Sequence, residues 1–518
     1  MKKLILGNRQ ELYGLSTEER DKIKDVLTFD NPAYKNARRF SKSRYISIPP
    51  YLMYYKEFSY SEGGVRKKVL SVPIGFDVTK YVDIDEFQDN RRTVNVTYPK
   101  FSLDLREDQV KAESAYVAYH STDLVNEPSI IQLPTGKGKS ILALHIAHML
   151  GQKTLILVHK DDLVVGWQKD IQLCFPGIEC GLIKAKRRKV GKQITIATVQ
   201  TLSRMSEEEL SSLVDQFGFV VQDEVHHVGL NIFNVIDKFN SRFKLGLSAT
   251  PKRTDGLNFV FDVFFGGVCY RHEVTKDDAD ISQVEVRLLE SPFKYRPFSV
   301  QGQCFNYYDF EEDELPDEIE FVEEMPYELR PRIPYLTIDD EAVTSDDTGL
   351  LVCDKIEEEY NMGHSVLVLF TQKEHINSYY RYLSTKIPKD KIMLYYGDSK
   401  EKSSDMMRKA EDKEVLITLA TYAKATEGTN VRSWEVLFLV SSLNNEKNVE
   451  QATGRIRRKK EGKINPVIVY DVSYPDCYSL RSHYATRKRV YKRLKYIIQD
   501  NKKSSGNKKS SLFSRGYH

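Results

Sequence analysis

The sequence predicts an α/β fold with two parallel-sheet lobes in tandem, preceded by a small α+β domain. Two stretches, residues 96–285 and 346–480, alternate short apolar β-rich runs with helix-like runs. This alternation is typical of strand–helix–strand units, in which helices cover both faces of a parallel sheet. The length of 518 residues agrees with several folded units, because one core rarely organises more than about 300 residues.

The other segments differ from these lobes in composition. Residues 1–95 are rich in Tyr and Phe, with strand-like runs broken by prolines, and are predicted to form an N-terminal accessory domain. Residues 286–345 carry 10 acidic and no basic residues between Asp309 and Glu324, and we interpret them as an acidic linker or insertion. Residues 481–518 are predicted to form a basic C-terminal helix and a disordered tail.

Composition narrows the class of protein. Hydrophobic residues make up 41% and charged residues 29%, as in soluble globular proteins. Apolar runs stay far below the roughly 18 residues that span a bilayer, and the start MKKLILGNRQ lacks a secretory apolar segment, so a cytoplasmic protein without membrane partners is expected. The six cysteines form no CxxC pair, which argues against a disulfide framework or zinc ribbon.

The charge is unevenly spread although the net charge is only +3. From Arg455 to the end there are 18 Lys/Arg against 4 Asp/Glu. A basic region of this kind indicates either a nucleic-acid partner or a solubilising tail.

The first motif with chemical meaning is a phosphate-binding loop, LPTGKGKS at Leu133–Ser140. It lies between the strand-like SIIQL and the helix-like ILALHIAHML, as a P-loop requires. Glycines allow successive N–H groups to surround one phosphate at a helix N-terminus. Leu133 replaces the usual first glycine. The candidate phosphate-binding residues are Pro134, Thr135, Gly136, Lys137, Gly138, Lys139 and Ser140.

The second motif is an acidic pair at the end of the strand-like FGFVVQ. A carboxylate there, Asp223, is placed to complete a Mg²⁺ site together with the Ser140 hydroxyl. Glu224 is placed to polarise the water that attacks the γ-phosphate. The alternative is a structural or metal-binding Asp-Glu-His-His cluster.

Two further motifs follow in order. GLSATP at Gly246–Pro251 is a strand followed by small hydroxyl residues. In QATGRIRR, Arg455 and Arg458 are three residues apart, on one face of a predicted helix. Such guanidinium groups suit the charge of a phosphoryl-transfer transition state across a cleft, although a solvated basic run is the alternative.

These four motifs resemble those of superfamily 2 helicases of the DExH type over roughly residues 96–480. The chain is most similar to the group that contains XPB and the phage UvsW-type branch-migration helicases. Finer motifs carry the likeness: LREDQ at Leu105–Gln109, LSATPKRTDG at Leu247–Gly256 and ATEGTNV at Ala425–Val431. The resemblance implies two RecA-like lobes, ATP and Mg²⁺ as cofactors, and an ATP-hydrolysing motor that works on DNA in recombination, repair or replication.

Further roles follow only from this resemblance. Gln109 is implied to read the adenine with Arg106 beside it, and Gly428 to contact the nucleotide. The residues implied to couple ATP state to strand grip are His226, Ser248, Thr250 and Gln451. The residues implied to contact nucleic acid are His159, Lys160, Thr198, Gln200, Thr201, Thr371 and Thr421.

The resemblance also implies a substrate and partners, and other functions stay open beside it. Single-stranded, forked or branched DNA is the implied substrate, with replication or recombination proteins as partners and the host cytoplasm as location if the gene is of phage origin. Residues 1–95 resemble the DNA-engaging accessory domain of the group, or they only brace the first lobe. An RNA helicase of the same fold and a DNA-binding protein with a vestigial ATPase stay open. A P-loop kinase or transporter ATPase does not explain the second lobe with its arginine pair.

Overall fold

The structure is a computed structural model. It describes the chain except residues 41–46, 121–127, 135, 226–234, 250–256, 273–280, 301–302, 312–313, 317–318, 326–330, 332, 398–402, 426–430 and 500–518. Its contacts divide the chain into two units, Met1–Glu273 and Val274–His518. In the described part of the chain, no helix has both the length and the apolar character needed to cross a membrane.

The first unit contains a five-stranded sheet and an eight-stranded sheet. Its strands are β1 Lys3–Leu6, β2 Arg9–Tyr13, β3 Thr28–Asp30, β4 Tyr51–Met53, β5 Lys56–Glu62, β6 Val65–Pro73, β7 Glu86–Asp89, β8 Ser129–Gln132, β9 Thr154–Val158, β10 Gly181–Lys184, β11 Arg187–Lys189, β12 Ile194–Thr198, β13 Phe219–Gln222, β14 Phe243–Ser248 and β15 Val268–Arg271. Its helices are α1 Thr17–Val26, α2 Pro32–Phe40, α3 Glu107–His120, α4 Lys139–Leu150, α5 Asp161–Cys174, α6 Val199–Leu202, α7 Glu207–Ser211 and α8 Phe259–Phe265.

The five-stranded sheet is mostly antiparallel, in the order β5-β6-β2-β1-β7. Burial alternates along β1 and β2, so apolar side chains such as Leu4 and Leu12 point to one face. Helix α1 begins at a capping box, in which the Ser16 and Glu19 side chains and backbone N–H groups bond reciprocally. The sheet therefore presents one apolar face for packing.

That face packs onto the eight-stranded sheet and its helices. Leu12 belongs to the same buried cluster as Ile130 of β8. The Phe29 ring stacks on Phe259 with centroids 3.3 Å apart, and a Cβ on Gly75 would lie 2.6 Å from backbone of Phe264. Packing therefore does not separate residues 1–95 from the strands that follow.

The eight-stranded sheet has the order β11-β10-β12-β9-β13-β14-β8-β15, and every pair is parallel except β10 with β11. The central strands β9, β12 and β13 are buried along their whole length, which explains their continuous apolar runs. Because parallel strands end at one edge, the loops after β8, β9, β10, β12, β13 and β14 all lie along a single edge, here called the carboxyl edge.

The second unit contains a seven-stranded parallel sheet and a three-stranded sheet. Its strands are β16 Val284–Glu290, β17 Pro297–Val300, β18 Gln303–Asn306, β19 Glu320–Phe321, β20 Val366–Phe370, β21 Ile392–Tyr395, β22 Ile417–Thr421, β23 Val436–Leu439, β24 Val467–Ser473 and β25 Ile497–Gln499. Its helices are α9 Tyr335–Thr344, α10 Asp346–Asn361, α11 Lys373–Lys386, α12 Ser403–Glu411, α13 Tyr422–Ala425, α14 Glu446–Ile456 and α15 Tyr478–Arg493.

The large sheet of this unit, β21-β22-β20-β23-β24-β16-β25, extends beyond the predicted lobe 346–480. Strand β16 lies between β24 and β25, so two segments outside that range complete the sheet. The predicted boundary at residue 285 divides β16, in which Glu285 and Arg287 alternate with buried apolar residues and pair with each other at 2.5 Å. The described part of the acidic stretch also has structure, since Arg296 pairs with Glu323 and lies 3.5 Å from the centre of the Phe321 ring.

Helix α15 corrects one expectation about the basic C-terminal region. Arg487 belongs to the basic region for which a nucleic-acid partner was one of the two expectations, but it is only 1% exposed. Its guanidinium pairs with Asp471 at 2.8 Å and donates to the carbonyl oxygens of Leu443 and Val472. Arg487 therefore holds the core of the second unit together, while Arg489 and Lys492 on the same helix are exposed.

Candidate active site

The P-loop joins the end of β8 to the start of α4. Leu133 is buried, and its N–H donates to the carbonyl of Ser248 at the end of β14. Gly138 precedes the helix with a φ of 69°, in the left-handed region that favours glycine. A Cβ there would lie 2.6 Å from Nε2 of Gln109, so a larger residue would also displace this amide.

Helix α3 supports this loop through side-chain contacts. The Gln109 side-chain amide donates to the carbonyls of Gly138, at 3.0 Å, and Lys137, at 3.3 Å, and its Oε1 accepts from the N–H of Arg106. The Lys137 ammonium is 1% exposed and lies 3.2 Å from Asp108. The Lys137 side chain therefore anchors the loop to α3 instead of facing a ligand, and Asp108 is a supporting residue that the sequence did not single out.

Lys139 is the loop residue whose charge faces the acidic pair. Its ammonium lies 3.6 Å from Oε1 of Glu224 and donates to the Leu133 carbonyl at 3.3 Å. Both side chains keep partial contact with solvent. An ion pair this long between partly exposed groups is weak, so an incoming anion can compete for the lysine.

Asp223 and Glu224 end strand β13 at the carboxyl edge. Asp223 is 8% exposed, and its Oδ2 accepts from Nε1 of Trp167 at 2.8 Å. Burial and the neighbouring Glu224 carboxylate raise the pKa of Asp223 to about 6. Glu224 has a φ of 47°, a left-handed conformation that turns the chain away from the strand.

Helix α5 supplies two side chains that the sequence analysis missed. Trp167 binds Asp223, and Asp170, three residues later on the same helical face, accepts from the Ser140 hydroxyl. One helix thus positions both predicted Mg²⁺ ligands. The sequence offers one signal that Trp167 is important, since it is one of only two tryptophans in the chain. Its partner Asp223 is 56 residues away, so the contact itself has no local signal.

The predicted nucleic-acid contacts of the first unit follow β9 and β12 along the same edge. Gln200 donates to the carbonyl of His159 at 2.5 Å, and the hydroxyls of Thr198 and Thr201 lie 2.7 Å apart. His159 is mostly buried, and Lys160 is half-buried. The structure therefore gathers these five residues next to one another.

Two predicted contacts in the second unit, Thr371 and Thr421, stand at the ends of the neighbouring strands β20 and β22. Both are half-buried. The Thr371 hydroxyl donates to Asp339 at 3.2 Å and lies 3.1 Å from the Ser441 hydroxyl. This position is therefore already fixed by protein partners.

The arginine pair is arranged differently from the expectation. Gln451 and Arg455 lie on helix α14 and are mostly buried, but the helix ends at Ile456. Arg458 is half-buried and forms a β-bridge with Ile281. The prediction that both arginines share one helical face is wrong, because the chain leaves the helix between them.

Lys463, which sequence reasoning missed, fixes the backbone around this exit. Its ammonium donates to the carbonyls of Ile456 at 2.7 Å, Arg458 at 2.9 Å and Arg432 at 2.9 Å. Burial lowers its pKa to about 7. A lysine in a basic run gives no sequence signal of such a role.

Four predicted positions, Thr135, His226, Thr250 and Gly428, lie outside the described residues. Ser248 is described and fully buried at the end of β14, where its carbonyl accepts the Leu133 N–H.

Comparison with known proteins matches this site to a family. The model of the family "Type III restriction enzyme, res subunit" matches residues 102–253. A probable helicase of Escherichia phage T5 is 28% identical over 414 residues, covering 79% of this chain and 80% of the relative. The archaeal DNA 3'-5' translocase XPB2 of Sulfurisphaera tokodaii is 31% identical over 202 residues, which are 38% of this chain and 43% of that protein. These similarities support a superfamily 2 helicase. Helicases of this kind hydrolyse ATP and act on nucleic acid.

Solved structures agree on the fold of the helicase. S. cerevisiae Dbp5 bound to RNA and ADP BeF3 superposes with a TM-score of 0.50 at 11% identity, covering 76% of this chain and 89% of its own. A fragment of an HsdR subunit from Vibrio vulnificus gives 0.50 at 17% identity, covering 73% and 65%. At such identities the likeness shows two RecA-like lobes and nothing finer.

Proposed function

We propose that this helicase is an ATP-dependent DNA translocase that unwinds, branch-migrates or otherwise remodels DNA. The observation that carries the proposal is the arrangement of the carboxyl edge in the first unit. There Lys139 of the P-loop lies beside Glu224, Asp223 is buried next to it, and the residues after β9 and β12 continue along the same edge.

ATP binding is assigned to the P-loop. The glycine-rich turn and the start of α4 offer backbone N–H groups and the helix dipole to the phosphates. The γ-phosphate competes with Glu224 for the Lys139 ammonium, which releases the carboxylate for catalysis. Gln109 and Arg106, bonded to each other and to the loop, are the proposed adenine contacts.

The residues present fit Mg²⁺. This ion prefers oxygen ligands and usually takes only one or two from the protein, the others being phosphate and water. The Asp223 carboxylate and the Ser140 hydroxyl are such donors, and Asp223 lies beside a second carboxylate that raises its pKa, a repulsion that a cation relieves. In the described ranges no cluster of three or more His, Cys, Asp or Glu forms a larger metal site. Bound Mg²⁺ would supply charge neutralisation at the phosphates.

The hydrolysis step uses Glu224 as the general base. The oxygen of a water molecule attacks the γ-phosphorus while the bond between that phosphorus and the ADP oxygen breaks. The proton of the water passes to the Glu224 carboxylate, and Lys139 balances charge on the phosphate oxygens. Arg455 and Arg458 are proposed to add positive charge to the same transition state.

DNA is proposed as the substrate, in single-stranded, forked or branched form. The similarity to a protein named as a DNA 3'-5' translocase supports DNA over RNA. His159, Lys160, Thr198, Gln200 and Thr201 are the proposed contacts, and mostly with the phosphate backbone, so binding is expected to be independent of sequence and sensitive to salt.

The test is the ATPase rate of the full chain alone and with single-stranded, duplex and forked DNA and with RNA, using Lys139→Ala as the blank. Strong stimulation by DNA, largest with forks, is the expected result. Absence of stimulation by every nucleic acid would overturn the proposal and leave a vestigial or differently regulated ATPase.

An RNA helicase is the second candidate, and one similarity favours it. A mimivirus protein named as a putative ATP-dependent RNA helicase is 23% identical over 374 residues. Stimulation of the same ATPase by RNA alone would select this function.

A further inference from the structure

A basic hairpin at the outer end of the eight-stranded sheet takes no part in the ATPase chemistry described above. Strands β10 and β11 pair antiparallel, and the sequence Lys184–Lys189 contains five basic residues and no acidic one. Residues 185–189 are exposed. Here we call residues 184–189 the basic hairpin.

The basic hairpin is attached directly to the proposed nucleic-acid contacts. The N–H of Ala185, at the tip, donates to the Thr201 hydroxyl at 3.0 Å, and this hydroxyl lies 2.7 Å from that of Thr198. The Lys184 ammonium lies 2.9 Å from Asp161, the residue after Lys160. The tip therefore continues the line of loops that starts at the P-loop and passes the ends of β9 and β12.

Its backbone conformation agrees with a tip that is held in place. Ala185 has a φ of 51°, a left-handed conformation that is unfavourable for a non-glycine residue. The hydrogen bond to Thr201 stabilises this conformation. The position of the basic side chains relative to the carboxyl edge is thus fixed by a contact with one of the proposed DNA-contacting residues.

Only some of the basic side chains of the hairpin form ion pairs within the protein. Lys184 pairs with Asp161, Lys189 with Glu179, and Arg188 lies 3.9 Å from Glu209. In the part of the chain that the structure describes, Lys186 and Arg187 have no carboxylate within ion-pair distance. Two uncompensated cations next to a strand-binding edge attract a polyanion.

We propose that the basic hairpin extends the DNA track, with Lys186 and Arg187 contacting the phosphate backbone beyond Thr198 and Thr201. The inference rests on the proposed function and adds a site to it. Contacts of this kind carry no sequence information and weaken steeply with salt, because each neutralised phosphate releases counterions.

The experiment compares three variants of the full chain with the wild type. K186A/R187A removes the two charges, and K186R/R187K keeps them. K192A/K238A is the matched control, since Lys192 and Lys238 are exposed on the same unit but precede β12 and β14 at the opposite edge of the sheet. Binding of a forked DNA is measured by fluorescence anisotropy at several salt concentrations, together with the DNA concentration that half-saturates the ATPase.

For K186A/R187A we expect Kd and the half-saturating DNA concentration to rise several-fold. The logarithm of the binding constant decreases with the logarithm of the salt concentration, and the magnitude of this slope is expected to decrease by about 1 to 2. The reason is that two phosphates are no longer neutralised. K186R/R187K and K192A/K238A should stay close to wild type, and thermal unfolding of all three checks the fold. Equal Kd values and slopes for K186A/R187A and K192A/K238A would overturn the inference. If instead the wild type itself binds no DNA, the proposed function fails, which is a separate outcome.

Discussion

The carboxyl edges of the two parallel sheets hold charge in opposite ways. In the first unit, Lys139 and Glu224 are 3.6 Å apart and partly exposed, so a ligand can exchange partners with them. In the second unit, Arg487 and Asp471 are buried and share further bonds with Ser442, Leu443, Val472 and Tyr491. The same topology therefore carries a partly exposed pair that a ligand can reach in the first unit, and a buried pair with several further partners in the second.

The largest effect is expected from a substitution at the carboxyl edge of the first unit. Glu224→Gln keeps the size of the side chain but removes the base, so turnover should fall by about 10²- to 10⁴-fold while ATP binding is retained. ATPase rates and nucleotide titration measure the two quantities, with Glu207→Gln, an exposed residue, as the control. Turnover at the wild-type level would remove Glu224 from its assigned role.

The next largest effect is expected on stability, from a substitution at the buried ion pair of the second unit. Arg487→Met leaves the buried Asp471 carboxylate without its cation, which typically lowers the free energy of unfolding by about 3–5 kcal/mol. Denaturant unfolding measures this loss, and Arg489→Met, on the exposed face of the same helix, is the control. If both variants lost the same stability, the contrast between the two edges would not hold.

A smaller effect depends on pH. The pKa of Lys463 is about 7 when folded and about 10.5 when unfolded, so between these values the unfolded chain binds more protons and stability rises with pH. The charged groups facing it are Glu435, Arg458, Glu411 and Lys413. The stability of the wild type relative to Lys463→Met should therefore increase from pH 7 to pH 10, by up to about 1.4 kcal/mol per pH unit.

Denaturant unfolding at several pH values tests this sign. Lys460→Met, which replaces an exposed lysine of the same segment, is the control. A flat difference for Lys463→Met would show that this ammonium keeps its proton in both states.

The smallest effect is expected at the loop support of the first unit. Gln109→Ala removes two hydrogen bonds to P-loop carbonyls, worth roughly 1 kcal/mol together, so KM for ATP should rise about fivefold and kcat should change less. Steady-state kinetics of this variant and of Glu107→Ala, which is exposed on the same helix, measure the difference. An unchanged KM would show that the loop needs no such support.

The sequence predicted the parts of the site that depend on local pattern. The P-loop and the acidic pair each follow a strand, and parallel strands bring both to one edge. Trp167, Asp170 and Asp108 were missed because their roles depend on partners 29 to 56 residues away. Contacts at such separations leave no local periodicity.

Arg487 was misjudged for a different reason. It lies in a run of basic residues, although the residues of this helix that are buried have a helical spacing. Leu480, His483, Arg487, Tyr491 and Leu494 recur at intervals of three and four and are all buried. That spacing predicts a core-facing position for Arg487 whatever its charge.

The left-handed backbone at Glu224 has a consequence for how this chain can change over evolution. A glycine would relieve the conformation at this position, so selection for stability alone favours replacing the very residue assigned to catalysis. Lineages in which the motor became dispensable are therefore expected to drift to glycine or asparagine at position 224 early. Backbone stability alone therefore does not explain a glutamate at position 224.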